Sequence, residues 1–369
     1  MRAFVFTDKA LERYAGQFVW LAVDTENSVN SGFLQKYPIS VWPTLMVINP
    51  KKESIALRYA GGATVPQLEK LLNDASRGAK SKADLALERG DQLANEGKHA
   101  EAAKAFEEAI AAAPKNWSRF GRASESLSFA LYQSKQYDQC AERSLALYPR
   151  VKGTYSAANV AGNGLECAAQ QPEKRAQLDQ LEHDTRETLD DPKIPLSADD
   201  RSGLYGSLID ARDAVKDEAG VQKLREEWSA FLDEQAKNAK TAEQRAVFDS
   251  HRLSAYMDLK EPERAIPMLE QSERDFPKDY NPPARLGLAY RTMGKYDEAL
   301  AAYDRALKLA YGPRKVSILR GKADTYALKG DKEAAKRTIA EAIRYAESLP
   351  VGQRSDAAIA SLKKKLDTL

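Results

Sequence analysis

The sequence predicts a mostly α protein, in which a small α/β domain at the N-terminus is followed by an α-helical solenoid. Three observations carry that expectation. Residues 280–312 (YNPPARLGLAYRTMGKYDEALAAYDRALKLAYG) read as two amphipathic helices joined by a tight turn, and their marks recur along the chain at a spacing of about 34 residues. Residues 1–78 depart from that rhythm with short apolar runs of strand length. No apolar run approaches the ~20 residues that a membrane span needs.

The N-terminal elements follow in order. Thr7-Asp8 is a helix-start signal ahead of Leu11 and Tyr14. FVWLAVD (18–24) is a continuous apolar run, the pattern of a strand buried on both faces. Residues 28–39 form a short helix ended by Pro38, and 44–50 and 54–60 are strands whose short polar turn makes them antiparallel. Thr64-Val65-Pro66 opens a helix with Leu68, Leu71 and Leu72 on one face, proline being favourable in the first turn. This α-β-α-β-β-α order, with Val41-Trp42-Pro43-Thr44 ahead of the strand pair, resembles the thioredoxin fold over residues 1 to about 76. The resemblance implies a cis peptide at Pro43, facing that family's Cys-x-x-Cys, and a backbone beside it that holds an extended peptide. Trp42, Pro43 and Thr44 are therefore candidate peptide-binding residues. The family's first strand and its Cys-x-x-Cys are missing, since no cysteine precedes Cys140, so the domain is expected to be redox-inactive in this chain. The favoured expectation is that Met1 is not the natural start and that a strand with the Cys-x-x-Cys lies upstream. A degenerate, non-redox module is the other.

The small and polar stretch 73–84 marks the boundary to the repeats. Within 280–312 the marks are Gly287, Tyr290, Gly294, Tyr296, Ala299, Tyr303 and Ala306. Gly294 ends the first helix, because glycine takes a left-handed C-cap without steric penalty. The marks return well in copies starting near 83 (Gly90, Leu93, Gly97, His99, Ala102, Phe106, Ala109), 246 and 316, and poorly near 121 and 157. This pattern resembles the tetratricopeptide repeat (TPR) family. The expected organisation is 1–78 thioredoxin-like, 83–190 TPR-like hairpins, 191–245 an irregular helical hairpin beginning at a proline-containing break, 246–350 TPR repeats and 351–369 a capping helix. The resemblance implies a groove lined by the first helix of each repeat, with Asn281, Leu288, Arg291, Arg320 and Asp324 as candidate partner-binding residues. The lysine–asparagine clamp with which some members grip chaperone C-termini is not matched, its positions holding Ala284, Leu288, Arg320 and Asp324.

Composition bounds the rest. A hydrophobic content of 43% with 30% charged residues describes a soluble globular chain. Lys and Arg total 56 against 54 Asp and Glu, without the basic excess of a nucleic-acid or anionic-lipid binder. Cys140 and Cys167 fall on neighbouring helices of the repeat alignment. A disulfide requires export, and two buried, inert thiols are the favoured reading. The three histidines have no partners at metal-ligand spacing, and no phosphate loop or nucleophile elbow occurs, so no catalytic, cofactor or metal residues are expected. The function expected is binding of a protein or peptide partner, without nucleic acid or membrane insertion. The alternative is a thiol-disulfide oxidoreductase with its cysteines upstream of Met1 and its repeats selecting substrates. Without a signal peptide the default compartment is the cytoplasm; a missing upstream segment would make it the exported space.

Overall fold

A computed structural model describes all 369 residues as eighteen α-helices and one two-stranded sheet. It forms two compact units, Met1–Phe18 with Ile39–Trp228, and Val19–Pro38 with Ser229–Leu369. The short helix α1 (Ser31–Lys36) belongs to the second unit.

The first unit opens with a 3-10 turn, Lys9–Tyr14, whose cap Asp8 accepts a hydrogen bond from the Ala10 amide at 2.8 Å. The strands β1 (Thr44–Asn49) and β2 (Ser54–Ala60) pair antiparallel, Thr44 opposite Ala60 and Asn49 opposite Ser54, with a bulge between Val47 and Ile48. The Trp42–Pro43 peptide is cis, as the resemblance implies. Helix α2 (Val65–Arg77) begins where the Thr64 amide donates to Gln67 Oε1 at 2.6 Å. Its Leu68, Leu71 and Leu72 close a small core with Val5, Leu11, Tyr14, Leu57 and Tyr59.

The run 18–24 is not a strand. No ladder includes it, and Val19 and Leu21 are 88% and 76% exposed. A strand buried on both faces needs a partner at each edge, and here β1 and β2 have only each other.

Helical hairpins then stack: α3 (Lys82–Asn95) with α4 (His99–Ala111), α5 (Phe120–Gln133) with α6 (Tyr137–Val151), and α7 (Ser156–Ala169) with α8 (Arg175–Asp190); α9 (Ala198–Ala214) packs on α7 and α8, and α10 (Glu218–Asn238) follows it in the chain. The proline-containing loop at 191–197 does not break the stack, for α9 packs on α7 as α7 packs on α5. The 73–84 stretch is held in place too. Arg119 donates to the Asp74 and Gly78 carbonyls at 2.6 and 2.8 Å and pairs with Asp84 at 3.2 Å. The two cysteines are not thiols: Cys140 of α6 and Cys167 of α7 form a disulfide. The antiparallel packing of these neighbouring helices brings their Cα atoms to 6.0 Å, inside the ~4.4–6.8 Å that a disulfide spans.

The second unit continues with α11 (Ala242–Ala246), α12 (Asp249–Asp258), α13 (Ala265–Asp275), α14 (Asn281–Thr292), α15 (Tyr296–Leu309), α16 (Gly312–Lys329), α17 (Lys332–Ser348) and α18 (Asp356–Thr368). The small and aromatic marks are one contact seen from two sides. A Cβ on Gly287 would lie 2.7 Å from the Tyr303 ring, and one on Gly90 would lie 2.3 Å from Phe106. The turn mark is equally physical: Gly97 and Gly294 have φ of 74° and 73°, and the copies without a glycine there keep that backbone with Lys135 and Lys260 at 59° and 62°.

Candidate protein-interaction surface

Stacking hairpins brings their first helices side by side, so residues a repeat apart in sequence become neighbours across one face. In the second unit Arg291 of α14 lies 3.4 Å from the Asp324 carboxylate of α16 and 3.4 Å from the Gly321 carbonyl. Lys365 of α18 pairs with the other Asp324 oxygen. Arg291, Asp324 and Lys365 thus form a charged row across three successive first helices, each side chain partly open to water. Arg320 sits one turn before Asp324 and is exposed. Leu288 is half-buried, packed on the cluster built around Leu253, Tyr256 and Leu286. Asn281 starts α14, where its amide group and backbone N–H both donate to Asp279 Oδ1 at 2.8 Å. Of the five repeat candidates, the structure therefore brings Arg291 and Asp324 together beside Arg320, whereas Leu288 packs and Asn281 joins the helix entry.

Trp42, Pro43 and Thr44 belong to the first unit. Trp42 is 64% exposed, the Pro43 carbonyl accepts from the Gly61 amide at 2.8 Å, and the Thr44 hydroxyl donates to the Val41 carbonyl at 2.6 Å. The first-helix face of this unit is occupied by β2. The Arg58 amide donates to Asp91 of α3 at 3.4 Å, and Arg122 of α5 pairs with the same carboxylate at 2.6 Å. One residue on, the Tyr59 hydroxyl donates to Glu125 of α5 at 3.3 Å, with Asn159 of α7 donating to the same oxygen at 2.8 Å and Ser156 to the other. Burial pushes the Glu125 carboxyl up, and the nearby, half-buried Asp200 is raised by desolvation as well. Sequence reasoning missed this cluster because a lone acid on a helix reads as solvated surface.

A second set of contacts that the sequence did not announce lies within the second unit. Tyr280 and Tyr311, each just before a first helix, donate their hydroxyls to Glu26 and Asp24. The hydrogen bond to Asp24 pushes the Tyr311 hydroxyl up to about 12; Tyr280 is raised by burial and by its bond to Glu26. The recurrence of a tyrosine at both helix entries was visible in the sequence, but their partners lie 254 and 287 residues away.

On α8, one ligand atom from each of His183, Asp184 and Glu187 falls within 4.8 Å of the others, and Lys152 already pairs with Glu187 at 2.6 Å. No helix is long and apolar enough to cross a membrane.

Comparison with known proteins agrees with the repeat geometry. Residues 280–348 and 83–116 match the tetratricopeptide repeat family, so the chain carries TPR repeats in a mostly α solenoid. The chain is 29% identical over 109 residues to small glutamine-rich tetratricopeptide repeat-containing protein 2 of Saccharomyces cerevisiae, a match covering 30% of this chain and 29% of that protein. It therefore spans under a third of that relative's length. Among solved structures it is similar to a tetratricopeptide repeat protein from Parabacteroides merdae, at 11% identity and a TM-score of 0.49 over 78% of this chain and 99% of that one. It is also similar to the TPR2AB domain of yeast Sti1, solved in complex with pHSP90, at 14% identity and a TM-score of 0.30 over 77% and 98%.

Proposed function

We propose that this protein is an interaction module whose TPR solenoid binds a protein or peptide partner, and whose N-terminal segment is a thioredoxin-like domain without redox activity in this chain. The observation that carries the binding role is the row Arg291–Asp324–Lys365 with exposed Arg320 beside it. Partly hydrated ion pairs contribute little to folding, roughly 0–1 kcal/mol each, so they can exchange partners at small cost. Long guanidinium side chains on adjacent helices can then meet the carbonyls and carboxylates of a bound segment. The thioredoxin-like reading is supported by the antiparallel β1–β2 pair followed by α2 packed against it, with the exposed Trp42-Pro43 leading into β1. The redox-inactive reading is supported by the absence of any cysteine before Cys140 and by the bond that occupies both thiols. That bond also supports an oxidising compartment, where disulfides persist.

The test is partner retention. Proteins retained by the wild-type chain are identified, then rebound to the Arg291→Ala/Arg320→Ala variant. Loss of at least about tenfold in affinity with unchanged thermal stability is the expected result. Undiminished binding by the double variant overturns the assignment of this face.

A further inference from the structure

We infer that the helix-entry loops of the second unit form a receptor for an acidic turn of the type Asp-x-Glu, at present filled by the chain's own Asp24-Thr25-Glu26. The partner it fits is a protein segment carrying carboxylates two residues apart in a turn. This rests on the interaction role proposed above and names a different surface for it.

Four side chains from three successive loops converge on the tripeptide. Tyr311 donates to Asp24 at 2.7 Å, Tyr280 donates to one Glu26 oxygen, and Arg314 Nε reaches the other at 3.3 Å. Gln353 Nε2 donates to the Thr25 carbonyl at 2.9 Å. Each of the four contacts is made by a donor to a carboxylate or a carbonyl of the tripeptide. Elsewhere in the repeats acids and bases alternate across the helix faces, as in Arg305–Glu273 and Lys322–Asp304. An all-donor set from loops spaced a repeat apart is the chemistry of anion recognition.

The site is shaped as well as charged. The Tyr280 and Tyr311 rings meet edge-to-face with centroids 6.3 Å apart, which fixes where the two hydroxyls point. A Cβ at Gly312 would lie 2.1 Å from the Glu26 carbonyl, and this residue has φ of +57°, so only glycine lets the bound backbone come so close. Glu26 is 17% exposed against 54% for Arg314, so the acid is the inserted group and the arginine its rim. Gln353 is 7% exposed, and its Oε1 has no hydrogen-bond partner, an acceptor left over for an incoming amide. The bound turn is preorganised by itself, the Glu26 amide donating to Asp24 Oδ1 at 2.9 Å and the Asn30 side chain to the Asp24 carbonyl at 2.8 Å.

A tethered occupant competes at an effective concentration in about the millimolar range, so the wild-type chain binds an outside acidic turn weakly. The experiment uses a fluorescent peptide with the sequence of residues 21–37 and the full chain, read by anisotropy. Asp24→Asn/Glu26→Gln in the protein removes the internal competitor, and at least a tenfold gain in peptide affinity over wild type is expected. Adding Tyr311→Phe and Arg314→Gln to that variant is expected to remove the gain, and the Asp24→Asn/Glu26→Gln peptide is expected not to bind. Tyr311 and Arg314 are exposed, so these changes leave the fold intact, which an unchanged thermal melt checks. No gain in the Asp24→Asn/Glu26→Gln chain, or a gain indifferent to Tyr311 and Arg314, overturns the proposal. The Arg291→Ala/Arg320→Ala measurement reads the helix face and the peptide reads the loops, so either reading can fail alone.

Discussion

Reducing the Cys140–Cys167 bond is expected to destabilise the first unit by several kcal/mol. The bond joins residues 27 apart in sequence. Closing a loop of that length removes unfolded-chain entropy worth roughly 3.5 kcal/mol at room temperature. Both residues are fully buried at the α6–α7 contact, so Cys140→Ala/Cys167→Ala loses the cross-link with little change of packed volume. For a unit of this size each kcal/mol moves the midpoint by about 2–4 °C, so the expected shift is roughly 10 °C. Thermal unfolding followed by circular dichroism, with and without reductant, measures it. Hydrogen exchange places it: α5 to α8 should lose protection while α14 to α17 keep theirs. The double variant should melt like the reduced wild type and show no further response to reductant. Two titratable thiols in unreduced, denatured protein, or a melt unmoved by reductant, would refute the reasoning.

Two other outcomes follow from buried groups. Glu125 is raised by burial, so in the folded state it holds its proton to higher pH than in the unfolded chain. Its contribution is least costly below the ordinary glutamate range and becomes unfavourable as pH rises from there through the raised value. Asp200, which faces it, has the same sign. Glu125→Gln removes the charge and keeps one of the two acceptor oxygens, enough for Ser156 or for Asn159 and Tyr59 but not for all three; urea titrations across pH should show a shallower fall in stability with rising pH than wild type. Gly287→Ala would set a methyl 2.7 Å from the Tyr303 ring, overpacking that costs about 1–3 kcal/mol. Adding Tyr303→Leu should recover part of the loss, and strict additivity in the double-mutant cycle would mean the two residues are not in contact.

The repeats were legible because their marks are steric. Gly287 and Gly90 are small since an aromatic ring from the second helix lies on them, and Gly294 is glycine since the turn takes φ of 73°. Legibility faded in the copy near 121, where Lys135 takes the glycine's place, although the turn geometry itself did not fade. The strand pair and α2 were legible from period and caps. The run 18–24 misled because apolarity reports a preference for burial and not whether a partner edge exists. The cysteine pair misled because residue type cannot show that α6 and α7 bring the two Cα atoms within bonding range. Of the candidate site, the Arg291–Asp324 pairing follows from repeat spacing, whereas Tyr280 with Glu26 joins residues that no local pattern connects.

Each unit holds N-terminal residues of its own chain against its repeats, and the chemistry of the two attachments differs in a way that bears on binding. In the first unit β2 shares one core with α2, through Leu57 and Tyr59, so the strand that covers Asp91 and Glu125 is held by buried apolar side chains. Each such side chain stabilises by about 1.5–3 kcal/mol, and vacating that face would open the core. In the second unit residues 24–26 are held by hydrogen bonds and one ion pair whose arginine is half in water. Contacts of that kind net about 0.5–1.5 kcal/mol each; the flanking Val19, Leu21 and Val29 are 76–88% exposed, and buried Leu34 and Tyr37 anchor the following α1 segment rather than the turn itself. An outside ligand can therefore exchange with the second attachment and not with the first. Binding activity should accordingly concentrate in the C-terminal repeats, and substitutions in β2 should change stability before they change affinity.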